Sequence, residues 1–165
     1  MISLLLTLSF LAQQSEPVVR LTETTPAERA ELRARTEPSD EGEWRALSNL
    51  VNPAVALDIT HVEREGDLRT FWIARTGGMD EITPGAYMVV RMQIDCEARS
   101  ARPLWMAVRA PSGTNIFGQA AHDEFVSYEG QSGGAGIAAV VCEGVTPTGL
   151  SFATHQAFAA AVATP

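Results

Sequence analysis

The stretch "AYMVVRMQIDCE" (86–97) constrains the fold more than any other part of the chain. Met88, Val90, Met92, Ile94 and Cys96 alternate with Val89, Arg91, Gln93 and Asp95. A period of two belongs to a strand, because successive Cβ atoms point to opposite faces of a sheet. The first set is read as inward and the second as outward. Neighbouring runs have the same character. "EWRALSNLV" (43–51) sets Trp44, Ala46, Ser48 and Leu50 on one side, and "PAVALDITHVE" (53–63) sets Val55, Leu57 and Ile59 against Ala56, Asp58 and Thr60. In "LRTFWIAR" (68–75) Phe71, Trp72 and Ile73 are consecutive, as in a strand covered on both faces. "PLWMAVRA" (103–110) supplies a further strand. The links between these runs are short, and Gly66 marks a turn in "REGD". Parallel neighbours need long crossovers, so the strands are expected to pair antiparallel.

The rest of the chain is arranged around this block. "MISLLLTLSFLA" (1–12) is an uncharged apolar run too short to span a bilayer and placed as a secretory signal peptide would be, with cleavage after Ala12. Residues 13–42 are expected to be peripheral. "TPAERAELRAR" (25–35) predicts a short helix with Thr25 as N-cap, Pro26 at its first position and Glu28 completing a capping box. Residues 111–133 are rich in Gly, Ser and Asn and are read as irregular. "GAGIAAVVCEG" (134–144) fits a helix or a buried strand, and the helix is preferred. "LSFATHQAFAAAV" (150–162) is Ala-rich and predicts a C-terminal helix, with His155 at its surface.

The chain has 165 residues, enough for one domain, and a formal net charge of −8 in which all 12 cations are Arg. That balance excludes a nucleic-acid binder, which needs cations to replace phosphate counterions, and disfavours anionic membrane surfaces. There are two cysteines. Cys96 shares a face with four large apolar residues, and Cys142 ends an apolar run. In an exported chain, two such cysteines are expected to form a disulfide, because the compartment is oxidising. Closing a loop of 46 residues stabilises by about 4 kcal/mol on the chain-entropy account. A catalytic thiol is disfavoured by the flanking Asp95 and Glu97, and zinc by the absence of closely spaced ligand pairs.

As an ordered set, Trp44, Asp58 and Ile59 before the "EGD" turn, Trp72, the Asp95–Cys96 pair and Cys142 resemble the surface-adhesin protein E-like family of small exported bacterial proteins. The resemblance covers residues 43–143 and leaves 144–165 as a C-terminal helical extension. It implies an antiparallel sheet packed against a C-terminal helix, and it too pairs Cys96 with Cys142.

Sites of chemistry are sparse. Asp58 and His61 are three apart on a predicted strand, which sends them to opposite faces and argues against a shared site. His122, Asp123 and Glu124 lie together in a loop and support an alternative, a metal-dependent hydrolase. No nucleophile elbow or phosphate loop is present. Phe71 and Trp72 are read as core. Trp105, Asn115 and Phe117, the last two within "SGTNIFGQ" (112–119), are the candidate contact residues.

These readings converge on an α+β domain with an antiparallel sheet of about five or six strands packed against a C-terminal helix. The expected function is that of a non-enzymatic, exported binding protein of the periplasm or cell surface. No catalytic residue, cofactor, metal or membrane span is expected. The partner would be a protein or a host-matrix or envelope component, or a second copy in a homodimer. Envelope assembly or inhibition through an unpaired sheet edge is the other alternative.

Overall fold

The computed structural model describes residues 25–39, 41–47, 50, 53–78, 82–121, 124–131 and 133–163. The expected signal peptide (1–12), Ser48, His122 and Asp123 lie outside them. In chain order the elements are α1 (Pro26–Thr36), β1 (Trp44–Ala46), β2 (Val55–Asp58), β3 (Glu63–Glu65), β4 (Leu68–Thr76), β5 (Tyr87–Asp95), β6 (Ser100–Arg109), β7 (Asn115–Ala120), β8 (Val126–Ser127), α2 (Gly134–Val141), β9 (Ser151–Phe152) and α3 (His155–Ala163). The strands form one open sheet of nine, ordered β7-β6-β5-β4-β2-β1-β9, with β3 paired to β4 and β8 to β6. Every pairing is antiparallel.

The α+β class and the C-terminal helix are as expected, but the sheet is larger than five or six strands. The added strands are short: β3 has three residues, and β8 and β9 have two each. Strands of that length show no period. β7 is six residues long and lies inside the segment read as irregular.

The centre is the β4–β5 hairpin, paired without a break from Leu68↔Asp95 to Thr76↔Tyr87. Alternation along it generates two cores. Trp72, Ala74, Tyr87 and Val89 share one face with Trp44, Ala46 and Ala56, and α3 covers them through Phe158 and Ala159. The alanines keep that face low, so the helix sits close. Phe71 and Ile94 share the other face with Leu57, and α2 covers them through Ala138 and Val141. Two-sided cover corrects the reading of Val89, which is buried rather than outward. It agrees with the consecutive Phe71-Trp72-Ile73 run.

The helices follow their local signals. α1 carries the full capping box, with Glu28 N–H donating to Thr25 Oγ1 and Thr25 N–H to Glu28 Oε2. Its Glu28 carboxyl is held below the usual range by those Thr25 bonds. α2 starts after Gly133, whose φ of 84° suits glycine. α3 starts later than the Ala-rich composition suggests, because Ser151 and Phe152 pair with β1 first.

His155 is buried, which corrects its reading as a surface residue. His155, Phe158, Ala159 and Val162 recur at the spacing of one helix face, and that face meets the sheet. The His155 ring is edge-on to Trp44 with centroids 5.4 Å apart. Its Nδ1 lies 2.9 Å from the Tyr87 hydroxyl. Burial pushes the Tyr87 hydroxyl up to about 12.

Candidate functional site

A disulfide joins Cys96 to Cys142, with Cα atoms 5.7 Å apart. Cys96 follows β5 and Cys142 caps α2, so the bond fastens α2 onto the Leu57–Phe71–Ile94 core. Among the described residues no free cysteine remains, and no helix is long and apolar enough to cross a membrane. The bond gives both cysteines a structural role.

The sheet ends on one side at β7. All six of its residues are exposed. No charged residue occurs from Ala110 to Ala121. Ala121 N–H donates to Leu104 O at 3.2 Å. With the register Trp105↔Ala120, Met106↔Gln119, Ala107↔Gly118 and Val108↔Phe117, antiparallel alternation turns the Phe117 and Gln119 backbone groups toward β6. It turns those of Gly118 and Ala120 outward, to the open edge. β8 continues the same side of β6 through Ala101↔Val126. Ile116, Phe117, Phe125 and Val126, between 38% and 57% exposed, are four of the eight large apolar residues that stand exposed among the described residues. Half of the exposed large apolar residues among the described residues therefore lie along this edge. Arg102 stacks over Phe125, 4.6 Å from the ring centroid.

The three candidate contact residues do not form one patch on one face. Trp105 and Phe117 lie on opposite faces, because each pairs within the register above and their positions differ by an odd step. Trp105 is half-buried and packs against the α3-side core, and its Nε1 is buried with no partner. A Cβ on Gly118 would lie 2.8 Å from the Trp105 ring, so glycine is needed there. Asn115 and Phe117 are exposed on β7. What they share is the edge.

The loop between β2 and β3 overturns a second expectation. Asp58 and His61 are together: His61 Nδ1 lies 2.9 Å from Asp58 Oδ2. The strand ends at Asp58, so strand alternation no longer separates them. Asp58 Oδ1 accepts from Thr60 N–H at 3.0 Å and His61 N–H at 3.2 Å, folding the chain back. Asp58 is 0% exposed. A carboxylate only accepts, so the imidazole Nδ1 carries the hydrogen. A Cβ on Gly42 would sit 3.2 Å from Asp58 Oδ1 and 3.3 Å from the His61 ring, so residue 42 is a close-packed wall of this pair.

His61 also lines an open groove of about 320 Å³ between α1 and the sheet, with Arg33, Glu37, Trp72 and Arg91. Arg91 is committed to Glu63, with Nη2 at 3.1 and 3.2 Å from the two carboxylate oxygens. The groove holds both signs of charge and selects neither. Of the three residues of the alternative hydrolase reading, His122, Asp123 and Glu124, only Glu124 is described, and it is exposed. Among the described residues no three His, Cys, Asp or Glu side chains cluster as metal ligands.

The opposite end of the sheet, at β9, is short and held down. Ser151 Oγ donates to Glu43 Oε1 at 2.9 Å, and Arg45 Nε donates to the same oxygen at 2.6 Å. These bonds, the Ser151 one foremost, hold the Glu43 carboxyl below its usual range. Compared with known proteins, the chain matches no family model, no curated protein and no solved structure.

β7 was hidden because Gly, Ser and Asn surround it. The signal was present in "NIFGQ", where Ile and Phe follow a Gly-containing link from β6. His155 was legible from its i, i+3, i+4 and i+7 spacing to Phe158, Ala159 and Val162. The Asp58–His61 pair was hidden because a strand period says nothing about where the strand stops.

Proposed function

We propose that this chain is a non-enzymatic, exported binding protein, similar to the surface-adhesin protein E-like proteins, that engages a protein partner by adding a strand to β7. The observation that carries this reading is the edge itself. It offers outward backbone donors and acceptors at Gly118 and Ala120, and it bears apolar side chains without any charge. Sheet edges left open are usually blunted by Lys, Pro or brevity, and β7 has none of these between Asn115 and Ala120. Main-chain bonds would supply affinity, and Ile116 and Phe117 would supply selectivity. Export is supported by the apolar residues 2–12 and by a disulfide, which persists in oxidising compartments.

A photo-crosslinking residue at position 116, expressed in the native host, tests the reading. It is expected to give one discrete adduct that Phe117→Lys abolishes, while the same residue at position 64 on β3 gives none. No adduct from 116, or the same adduct from 64, overturns it. Intact mass of the envelope protein tests export separately: a chain beginning at Gln13 is expected, and a retained Met1 contradicts it.

A further inference from the structure

We infer that the strand added to β7 is β7 of a second copy, joined antiparallel across a twofold axis. The inference rests on the edge being the recognition surface and goes beyond it by naming the occupant.

Charge is the first argument. The chain carries −8, so two copies repel over most of their surfaces. From Ala110 to Ala121 there is no charge, and here two copies meet without like-charge contact. A partner with a charged strand finds no counter-charge on this segment. A neutral strand of the same length and polarity suits it, and the chain supplies one.

Symmetry is the second. An isologous contact uses the same patch on both copies. A twofold perpendicular to the sheet pairs residues whose numbers sum to an even value, because facing side chains must lie on the same face. The outward backbone of Gly118 meets that condition. An axis through Gly118 makes it an exchange pair with its own copy. It sets Phe117 against the second copy's Gln119, while Ile116, where the β6–β7 register shifts, lies beyond this regular stretch. The exposed Phe117 ring then covers a polar side chain across the strand, and the two Phe117 positions are diagonal neighbours, about 7–8 Å apart.

Third, among the described residues β7 is the longest exposed edge, since the side strands β3 and β8 have three and two residues. β9 at its other end has two residues, and Ser151 and Arg45 are engaged with Glu43. One long open edge per copy gives a closed dimer, whereas two would give a fibre.

Sedimentation velocity of the oxidised chain over a range of concentrations tests the inference. A reversible monomer–dimer equilibrium is expected, tightening as salt screens the −8 bodies. Phe117→Lys and Phe117→Glu, each alone, are expected to weaken the dimer about tenfold or more. Their equimolar mixture is expected to restore it, because opposite charges then occupy the two diagonal positions. Thermal unfolding of each variant checks that it is folded. If either is not, Gln119→Lys and Gln119→Glu replace them on the same edge.

A wild-type chain that stays monomeric at about 0.5 mM, a concentration that detects even millimolar affinity, overturns the inference. So does a mixture no tighter than its components. If the monomeric chain still gives a foreign adduct from position 116, the dimer fails and the partner-strand reading stands. If it gives none, both fail.

Discussion

The two ends of the sheet solve the same problem in opposite ways. At β9 the edge is cut to two residues, and the chain turns at once into α3, which packs Phe158 and Ala159 back onto the sheet. At β7 the edge runs for six exposed residues and carries apolar side chains into solvent. The difference teaches that the cohesion of the fold is concentrated away from the β7 edge. The β9 end is fixed by burial and by the bonds converging on Glu43. The β7 end contributes little to the core and leaves its six residues exposed.

This contrast breaks most visibly at Phe158. Phe158→Ala removes a fully buried ring from the cover of the β9 end, and a loss of about 3–5 kcal/mol is expected, read from urea unfolding. A loss under about 1 kcal/mol would mean that α3 is not what closes that end. Removing the disulfide by Cys96→Ser with Cys142→Ser is expected to cost about 4 kcal/mol or somewhat less. That variant should weaken the α2-side core while leaving the β7 edge and its self-association intact. Asp58→Asn replaces an acceptor with an amide that meets two N–H donors and the imidazole. A loss of about 1–3 kcal/mol is expected from this buried, unsatisfied group.

A pH series sharpens the picture of the α3 contact. The Tyr87 hydroxyl is pushed from 10.0 up to about 12 by burial. Raised in the fold, it contributes stability that is fully present below pH 10 and lost as pH rises through about 12. Unfolding free energy should decline across that window, and Tyr87→Phe should flatten the decline. In a Tyr128→Phe background, phenolate absorbance at 295 nm should rise near pH 12 rather than near 10. The smallest effect is expected at the open edge: Phe117→Lys should change monomer stability by about 0.5 kcal/mol or less, while weakening the proposed dimer.

How much of this was legible in the sequence depends on element length and on where elements stop. The nine-residue strands β4 and β5 declared themselves by period and by the Phe71–Trp72–Ile73 run. The capping box of α1 is written in Thr25, Pro26 and Glu28. The cysteine pairing followed from two inward thiols. β8 and β9 have two residues each, and no period exists over two residues. β7 was obscured by its Gly-, Ser- and Asn-rich surroundings. Asn115 and Phe117 were singled out as contact residues, but the edge that unites them is a property of strand order. The Asp58–His61 pair depends on two backbone bonds that end a strand, and His155 was misread because alanine content was weighed over helical spacing.

Residue-resolved amide exchange, in solution dilute enough to dissociate the proposed dimer, tests the central claim most directly. The account predicts alternation along β7: Phe117 and Gln119 amides protected by β6, Gly118 and Ala120 amides exchanging close to the rate of an unfolded chain. Equal protection of all four would show that the edge is already covered within the monomer, and would contradict the account.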